Sequence, residues 1–393
     1  MKLTHVQVGE RPPHDGQYIL MGEMRWLGCL LFLAWAIHAQ ESTAELARRA
    51  VAEHKSGDLA AAIRDYRVLL KGHPEYTKVR TNLASALTDL NRLDEAIAVL
   101  EAAPARERTD PEIQRGLALA YYRMQRLPEA ARELEKLSAA APTDLKALEM
   151  LADCQTRSGH PEKAIDLLEP VVAAHPADGA VKYQLGAALV RAGRVEQGVG
   201  LLEEAGRKGE GAEALLLAGA TALDLGQFQR ARTDLDEAIR LDPAIPGAWT
   251  WAGMARDRVS DEEGAKLAFK KALEANAGDF EATFHLGAIL YREREIDSAR
   301  PYMERAVALQ PSSPMARYAL ALVRSASGET EKAVQDLEAV ITTSPYWLEP
   351  HIKLASLYFR LRRNAEGERE KQTIEVLRSE HKEQQLPMPA LDK

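Results

Sequence analysis

The chain has 393 residues, a net charge of −8, and a composition that is 46% hydrophobic, 28% charged and 6% aromatic. That balance is ordinary for a folded protein, but it excludes the concentrated basic surface that phosphate neutralisation by a nucleic-acid binder requires. A chain of this length would ordinarily form two or three globular domains, and its sparse aromatic side chains suit packing by alanine and leucine.

The first 39 residues read as an N-terminal extension and secretory signal peptide. Arg25 is followed by Trp26 to Ile37, an uncharged apolar run of twelve residues, and then by His38-Ala39-Gln40. Such a run is short for a bilayer span and suits the apolar region of an export signal, with cleavage expected after Ala39. Residues Met1 to Glu23, with Pro12-Pro13 and Asp15-Gly16, do not look like a signal start, which makes Met21 or Met24 an alternative initiator. The competing reading is an uncleaved segment that anchors the chain in the inner membrane. A lipoprotein reading of Leu27-Gly28-Cys29 fails, because the apolar run follows that cysteine. Removal of residues 1–39 takes Lys2, Arg11 and Arg25 together with Glu10, Asp15 and Glu23, so the charge stays at −8. It leaves one cysteine, Cys154, and no internal disulfide; Cys154 reads as a small buried side chain.

From Thr43 onward the pattern is helical. The clearest stretch, Leu145 to Asp178, gives two amphipathic helices joined at Ser158-Gly159-His160-Pro161 and closed at His175-Pro176. Leu148, Leu151, Ala152 and Gln155 share one face of the first, and Ala164, Leu167, Leu168 and Val171 one face of the second. Neither stripe can be buried alone, and the chain supplies neighbours. A small residue recurs at Ala50, Ala84, Ala118, Ala152, Gly186, Gly219, Gly253, Gly287, Ala321 and Ala355, every 34 residues apart from one step of 33. A second ladder follows twelve residues behind: Ala62, Ala96, Ala130, Ala164, Gly198, Ala231, Ala265, Ala299, Ala333 and, more weakly, Gly367. Prolines fall on the same frame at Pro74, Pro142, Pro176, Pro243, Pro311 and Pro345. Only Ala or Gly lets two crossing helices approach closely, and a proline ends the second helix and sets the turn.

The period, the small pair and the closing proline resemble the tetratricopeptide repeat (TPR) over nearly all of the chain from Thr43. The resemblance implies an all-α, right-handed α-solenoid of antiparallel helix pairs, with nine repeats over 43–347. A terminal half repeat and a charged C-terminal capping helix follow over 348–386, and then a tail, 387–393. The first repeat is degenerate, with Arg49 where later repeats carry leucine, as suits a cap. The second ends irregularly, with Pro104 early and Arg106, Glu107, Arg108 and Asp110 in the turn, whereas Pro128 is tolerated in the first turn of its helix. Pro170 and Pro301 fall inside second helices and are expected to kink them. The glycine-rich turn Gly206-Arg207-Lys208-Gly209-Glu210-Gly211 is the expected hinge or break in pitch.

Motif chemistry is absent: there is no GxxxxGK[ST], HExxH, CxxC or GxSxG. Histidines stand singly, and His73, His160 and His175 precede prolines at turns, so neither a metal nor a cofactor is expected. Paired acids such as Asp94-Glu95 and Glu203-Glu204 read as helix-terminus partners and solvated charges. One stripe stands out. Lys55, Arg123, Arg157, Arg191, Arg258, Arg292 and Arg360 share one repeat position, in the last turn of the first helix. They are either C-terminal caps meeting exposed carbonyls, or a basic ladder able to hold an acidic peptide or polymer.

The resemblance implies a non-catalytic scaffold with protein or peptide partners. The lysine/asparagine clamp of the family's chaperone-tail binders is missing, because the corresponding pairs are Ala47/Val51, Thr81/Ser85 and Arg115/Leu119. With the export signal, the expected setting is the periplasm or the exterior, where the chain organises envelope or secretion complexes of a bacterium. The membrane enters only through that signal. The alternative is a groove receptor for an extended acidic peptide or polysaccharide. The expected partner surface is the concave groove of the last repeats: Phe284, Tyr291, Arg292, Met315, Tyr318, Leu322, Ile352, Phe359 and Arg360. Exposed aromatic and methionine side chains rimmed by arginine make binding hot spots.

Overall fold

A computed structural model describes residues 43–207 and 211–379, and within them all regular structure is helical. The proposed signal peptide and the tail at 387–393 lie outside the described residues. The chain divides into two compact units, one ending at Gly159 and the other beginning at His160. The first unit holds α1 (43–56), α2 (Leu59–Gly72), α3 (Thr77–Asp89), α4 (Leu93–Glu101), α5 (Pro111–Arg123), α6 (Leu127–Ala140) and α7 (Leu145–Arg157). In the second unit, α8 (Pro161–Ala174), α9 (Gly179–Arg191), α10 (Val195–Gly206), α11 (Ala212–Asp224), α12 (Phe228–Leu241), α13 (Ala248–Arg258) and α14 (Glu262–Ala275) come first. They are followed by α15 (Phe280–Arg292), α16 (Ile296–Leu309), α17 (Pro314–Ala326), α18 (Thr330–Thr343), α19 (Leu348–Arg360) and α20 (Asn364–Ser379).

Two local rules make these helices repeat. Each odd-numbered helix ends in a residue with left-handed backbone, among them Gly57, Asn91, Gln125, Gly226, Ser260, Arg294, Gly328 and Arg362. The next amide then donates back into the helix, as from Arg92 to the Leu87 carbonyl at 2.8 Å, and the left-handed residue itself donates to the Thr88 carbonyl. This double closure uses up carbonyls that a helix end would otherwise expose. Most even-numbered helices stop before a proline, and an acidic or hydroxyl side chain starts the next. Asp144, Asp178, Asp279 and Ser313 accept from amides in the first turn of α7, α9, α15 and α17.

The two small-residue ladders meet where the helices of a pair cross. Ala62, Ala96, Ala130, Ala164, Ala231, Ala265, Ala299 and Ala333 are all fully buried. The crossing of α9 and α10 brings the two backbones close, since a Cβ on Gly198 would stand 2.7 Å from the Gly186 carbonyl oxygen. First helices of successive pairs also touch directly, as α3 does α5 in the first unit and α13 does α15 in the second. Second helices do not meet each other to a comparable extent. This leaves an inner face made by the first helices alone.

Pro170 and Pro301 lie inside α8 and α16, which run unbroken for fourteen residues each. Both rings are solvent-facing, where water can satisfy the carbonyl that loses its amide partner. The glycine-rich turn lies within the second unit. There Gly206 permits close packing, since a Cβ on it would meet Leu215 at 2.3 Å. Residues 208–210 of that turn lie outside the described residues.

Candidate interaction surface

The basic stripe proves to be a set of staples between neighbouring helix pairs. In the first unit, Arg123 Nη1 donates to the Thr88 carbonyl of the preceding first helix at 2.9 Å. Arg157 donates to Asp153 at 3.1 Å and to the Tyr122 hydroxyl at 3.3 Å, and it also donates to the Gln125 side-chain oxygen. In the second unit, Arg258 lies 4.7 Å over the Phe228 ring. Arg292 bonds Asp257 and, at 3.3 Å, Glu262. Arg360 donates to the Thr330 hydroxyl. Bonds made by Arg123, Arg157, Arg292 and Arg360 reach to the preceding helix pair, and Arg123 adds its guanidinium to the Thr88 carbonyl that already closes the preceding first helix. Lys55 and Arg191 occupy the same stripe and are exposed.

The aromatic cluster expected at the surface is split by the structure. Phe284 is 2% exposed, Tyr318 5% and Leu322 3%. All three belong to the largest core of the second unit. Phe284 stacks on Phe280 with ring centres 5.8 Å apart, and Tyr318 packs against the buried Trp347 at 4.7 Å. The physical reason is the direct approach of successive first helices, which covers inward positions that an isolated pair would leave open. Tyr291 and Met315 are half-buried, each with one side on that core. Phe359 is half-buried against Gly367, with the Lys371 ammonium 5.1 Å from its ring centre. Ile352 is 43% exposed. What remains accessible of the expected surface is therefore Ile352 with parts of Tyr291, Met315 and Phe359, bordered by Arg360.

The middle of the second unit adds side chains that sequence reasoning passed over. Tyr183, Leu216 and Met254 are half-buried on the same inward repeat positions as Phe284 and Leu322. The signal was present in the 34-residue frame, since 183, 216, 250, 284, 318 and 352 are successive equivalents. A second pattern was also missed. One repeat position in the first turn of several first helices donates to the carbonyl of the preceding turn proline: Arg80 to Pro74 (2.6 Å), Trp249 to Pro243 (3.0 Å) and Arg317 to Pro311 (3.2 Å). His351 does the same to Pro345 at 3.0 Å, while its Nδ1 lies 2.6 Å from Glu370 of α20.

Burial shifts the ionisation of several side chains. Burial pushes the Cys154 thiol up to about 12, so this side chain is an unreactive core residue. Tyr122 donates to Asp153 at 2.7 Å, and burial followed by that bond raises it to about 12. Burial pushes Asp234 up to about 6 and His285 down to about 4. Among the described residues no three His, Cys, Asp or Glu side chains converge as a metal site. No helix there is long and apolar enough to cross a membrane.

Comparison with known proteins gives one recurring result. A family model described as "Tetratricopeptide repeat" matches residues 53–120, 121–177 and 155–220, and a second with the same description matches 216–279, 252–314 and 289–346. Over 98 residues the chain is 32% identical to the "TPR repeat-containing thioredoxin TTL4" of Arabidopsis thaliana, which is 25% of this chain and 14% of the relative. Over 137 residues it is 24% identical to "Anaphase-promoting complex subunit 3" of Schizosaccharomyces pombe, 35% of this chain and 21% of the relative. The chain thus spans less than a quarter of the length of either. Among solved structures, the anaphase-promoting complex hetero-tetramer Cut9-Hcn1 aligns with 85% of this chain and 73% of its own, at 12% identity and a TM-score of 0.45.

Proposed function

The chain belongs to the tetratricopeptide-repeat family, and from that premise we propose that it is a non-catalytic scaffold that binds protein partners along the inner face of its first helices. The observation that carries this reading is an inner face with half-covered Tyr183, Leu216, Met254, Tyr291 and Met315 and the more open Ile352. Partly desolvated aromatic, methionine and aliphatic side chains gain most from a partner that completes their burial. Photo-cross-linker placed at Ile352 should label one defined protein, and the same group on the exposed second-helix residue Leu267 should not. Equal labelling from both positions would contradict the proposal.

The same proposal includes the cell envelope as the setting and assembly of envelope or secretion complexes as the role. Its support is the apolar run Trp26–Ile37 after Arg25. Terminal sequencing of exported protein should begin near Gln40; an intact Trp26–Ile37 would replace the soluble exported form with an anchored one. The receptor for an acidic peptide or polysaccharide is the weaker reading. Arg157 and Arg292 are committed to Asp153 and Asp257, which removes much of the positive field such a chain would need.

A further inference from the structure

His285 stands on α15 in an unusual setting for an ionisable group. Its ring is parallel to Phe269 of α14 at 5.5 Å and edge-on to Phe284 at 5.8 Å. Nδ1 is buried without a hydrogen-bond partner among the described residues. Nε2 is 3.7 Å from Glu281 Oε2, beyond hydrogen-bond range. The charged groups facing the ring are Asp257 and Arg258 of α13, and Asp279, Glu281 and Arg292 at the start and along α15. Asp257 is engaged by Arg292. Asp279 accepts from the Ala282 amide and from the Thr250 hydroxyl at 2.6 Å. Glu281 is 54% exposed, yet partial burial and the neighbouring Asp279 charge hold its carboxyl above the usual carboxylate range, which makes it a poor counter-ion in acid. The two buried carboxylates nearest the ring, Asp257 and Asp279, are already bound.

We propose that His285 makes the contact between α14 and α15 an acid-sensitive latch, in which protonation of the ring between Phe269 and Phe284 releases this helix contact while the neighbouring pairs stay packed. A neutral imidazole suits the slot between two phenyl rings, whereas an imidazolium must be desolvated there. Met254, Tyr291 and Arg292 border or ride on the same helices, so the latch links acidity to the inner face.

The sign of the response is fixed by burial. His285 is held at about 4 when packed, against about 6.5 for an open imidazole. Opening of α14–α15 therefore becomes easier as pH falls below about 6.5, by about a hundredfold between pH 7 and pH 4. Asp234 on α12 works the other way. It is 7% exposed, close to Glu203, Arg230 and Arg207, and burial holds it at about 6. Acid neutralises it and tightens α12. A global melting curve would blend the two, so the test must be local.

Hydrogen exchange of the full chain from pH 7 to pH 4, corrected for intrinsic rates, reads each helix separately. The expected result is about a hundredfold loss of protection in α14 and α15 with no loss in α12. His285→Phe should abolish the α14–α15 response and leave the rest unchanged. Should that variant fail to fold, His285→Asn, uncharged at every pH, carries the same expectation. Retained protection at pH 4 in the wild-type chain would overturn the latch. So would an acid response of α14–α15 that is the same in the variant.

Discussion

The two units follow one repeat but join their first helices by different chemistry. In the first unit the links are polar and directional: Arg115 pairs with Asp144 at 2.7 Å, and Tyr122 and Arg157 converge on Asp153. His54 lies 3.5 Å from Asp89. In the second unit the positions of Arg115 and Asp153 hold Phe284, Tyr318 and Leu322, all buried, with Trp347 and Phe269 behind them, while the positions of Tyr122 and Arg157 stay polar as Asp257 and Arg292. The 34-residue period fixes where first helices meet, and it does not fix what they meet with. Half-exposed ion pairs contribute little to stability, whereas buried aromatic area contributes several kcal/mol. The second unit should therefore carry most of the packing energy per pair, and the first should be the more tolerant of change on its inner face.

That contrast can be broken most directly at Phe284. Phe284→Ala should cost about 3–5 kcal/mol, while Asp153→Ala in the first unit should cost about 1 kcal/mol. Equal losses in denaturant unfolding would dissolve the distinction. Next in size are the crossing glycines of the second unit. A Cβ at Gly253 would meet the fully buried Phe269 ring at 2.6 Å, whereas at Gly287 it would meet the movable Met303 methyl and the Tyr302 Cβ, both at 3.0 Å. Gly253→Leu should cost about 3 kcal/mol and Gly287→Leu nearer 1 kcal/mol. Thermal unfolding of the two variants checks the order, and a reversal would show that the ring yields more readily than the thioether.

Asp234→Asn sharpens the comparison through pH. A carboxyl raised to about 6 by burial destabilises the fold above that pH, and the penalty vanishes below about 3.9, where folded and unfolded forms are both protonated. The variant should gain about 2 kcal/mol at pH 7 and nothing near pH 4. A gain that persisted unchanged into acid would point to hydrogen bonding instead of charge. The smallest effect concerns the helix ends. Arg294 is left-handed at φ 67° where other repeats use glycine, as at Gly328. Arg294→Gly should stabilise by about 1 kcal/mol and Gly328→Ala should destabilise by a similar amount, read as shifts in the unfolding midpoint.

Much of this was legible in the sequence. The alanine and glycine ladders state where helices cross, and the turn prolines and aspartates state where they stop and start. The left-handed helix ends were readable at Gly159 or Gly226 but not at Gln125, Ser260 or Arg362, where the backbone closure imposes a conformation the side chain disfavours. The inner rings were misread for a physical reason. Periodicity places Phe284 and Tyr318 on the inward face, yet whether that face is open depends on how closely the next first helix approaches. The arginine stripe was visible as a position, but its partners lie about one repeat back (Thr88, Tyr122 and Asp257 at 35 residues, Thr330 at 30) and differ in kind: a carbonyl, a phenol, a carboxylate and a hydroxyl.

The central claim is that the accessible inward side chains serve partners while the buried ones serve the fold. Paired measurement of partner capture and melting temperature on two double variants tests it most directly. Met315→Ala with Ile352→Ala should abolish capture of the protein cross-linked through Ile352 and leave the melting temperature within a degree or two, because Ile352 is 43% exposed and Met315 half-buried. Phe284→Ala with Tyr318→Ala should lower the melting temperature sharply and lose binding only in proportion to unfolding. Full capture by the first variant, or capture lost by the second at a temperature where it is still folded, would contradict the account.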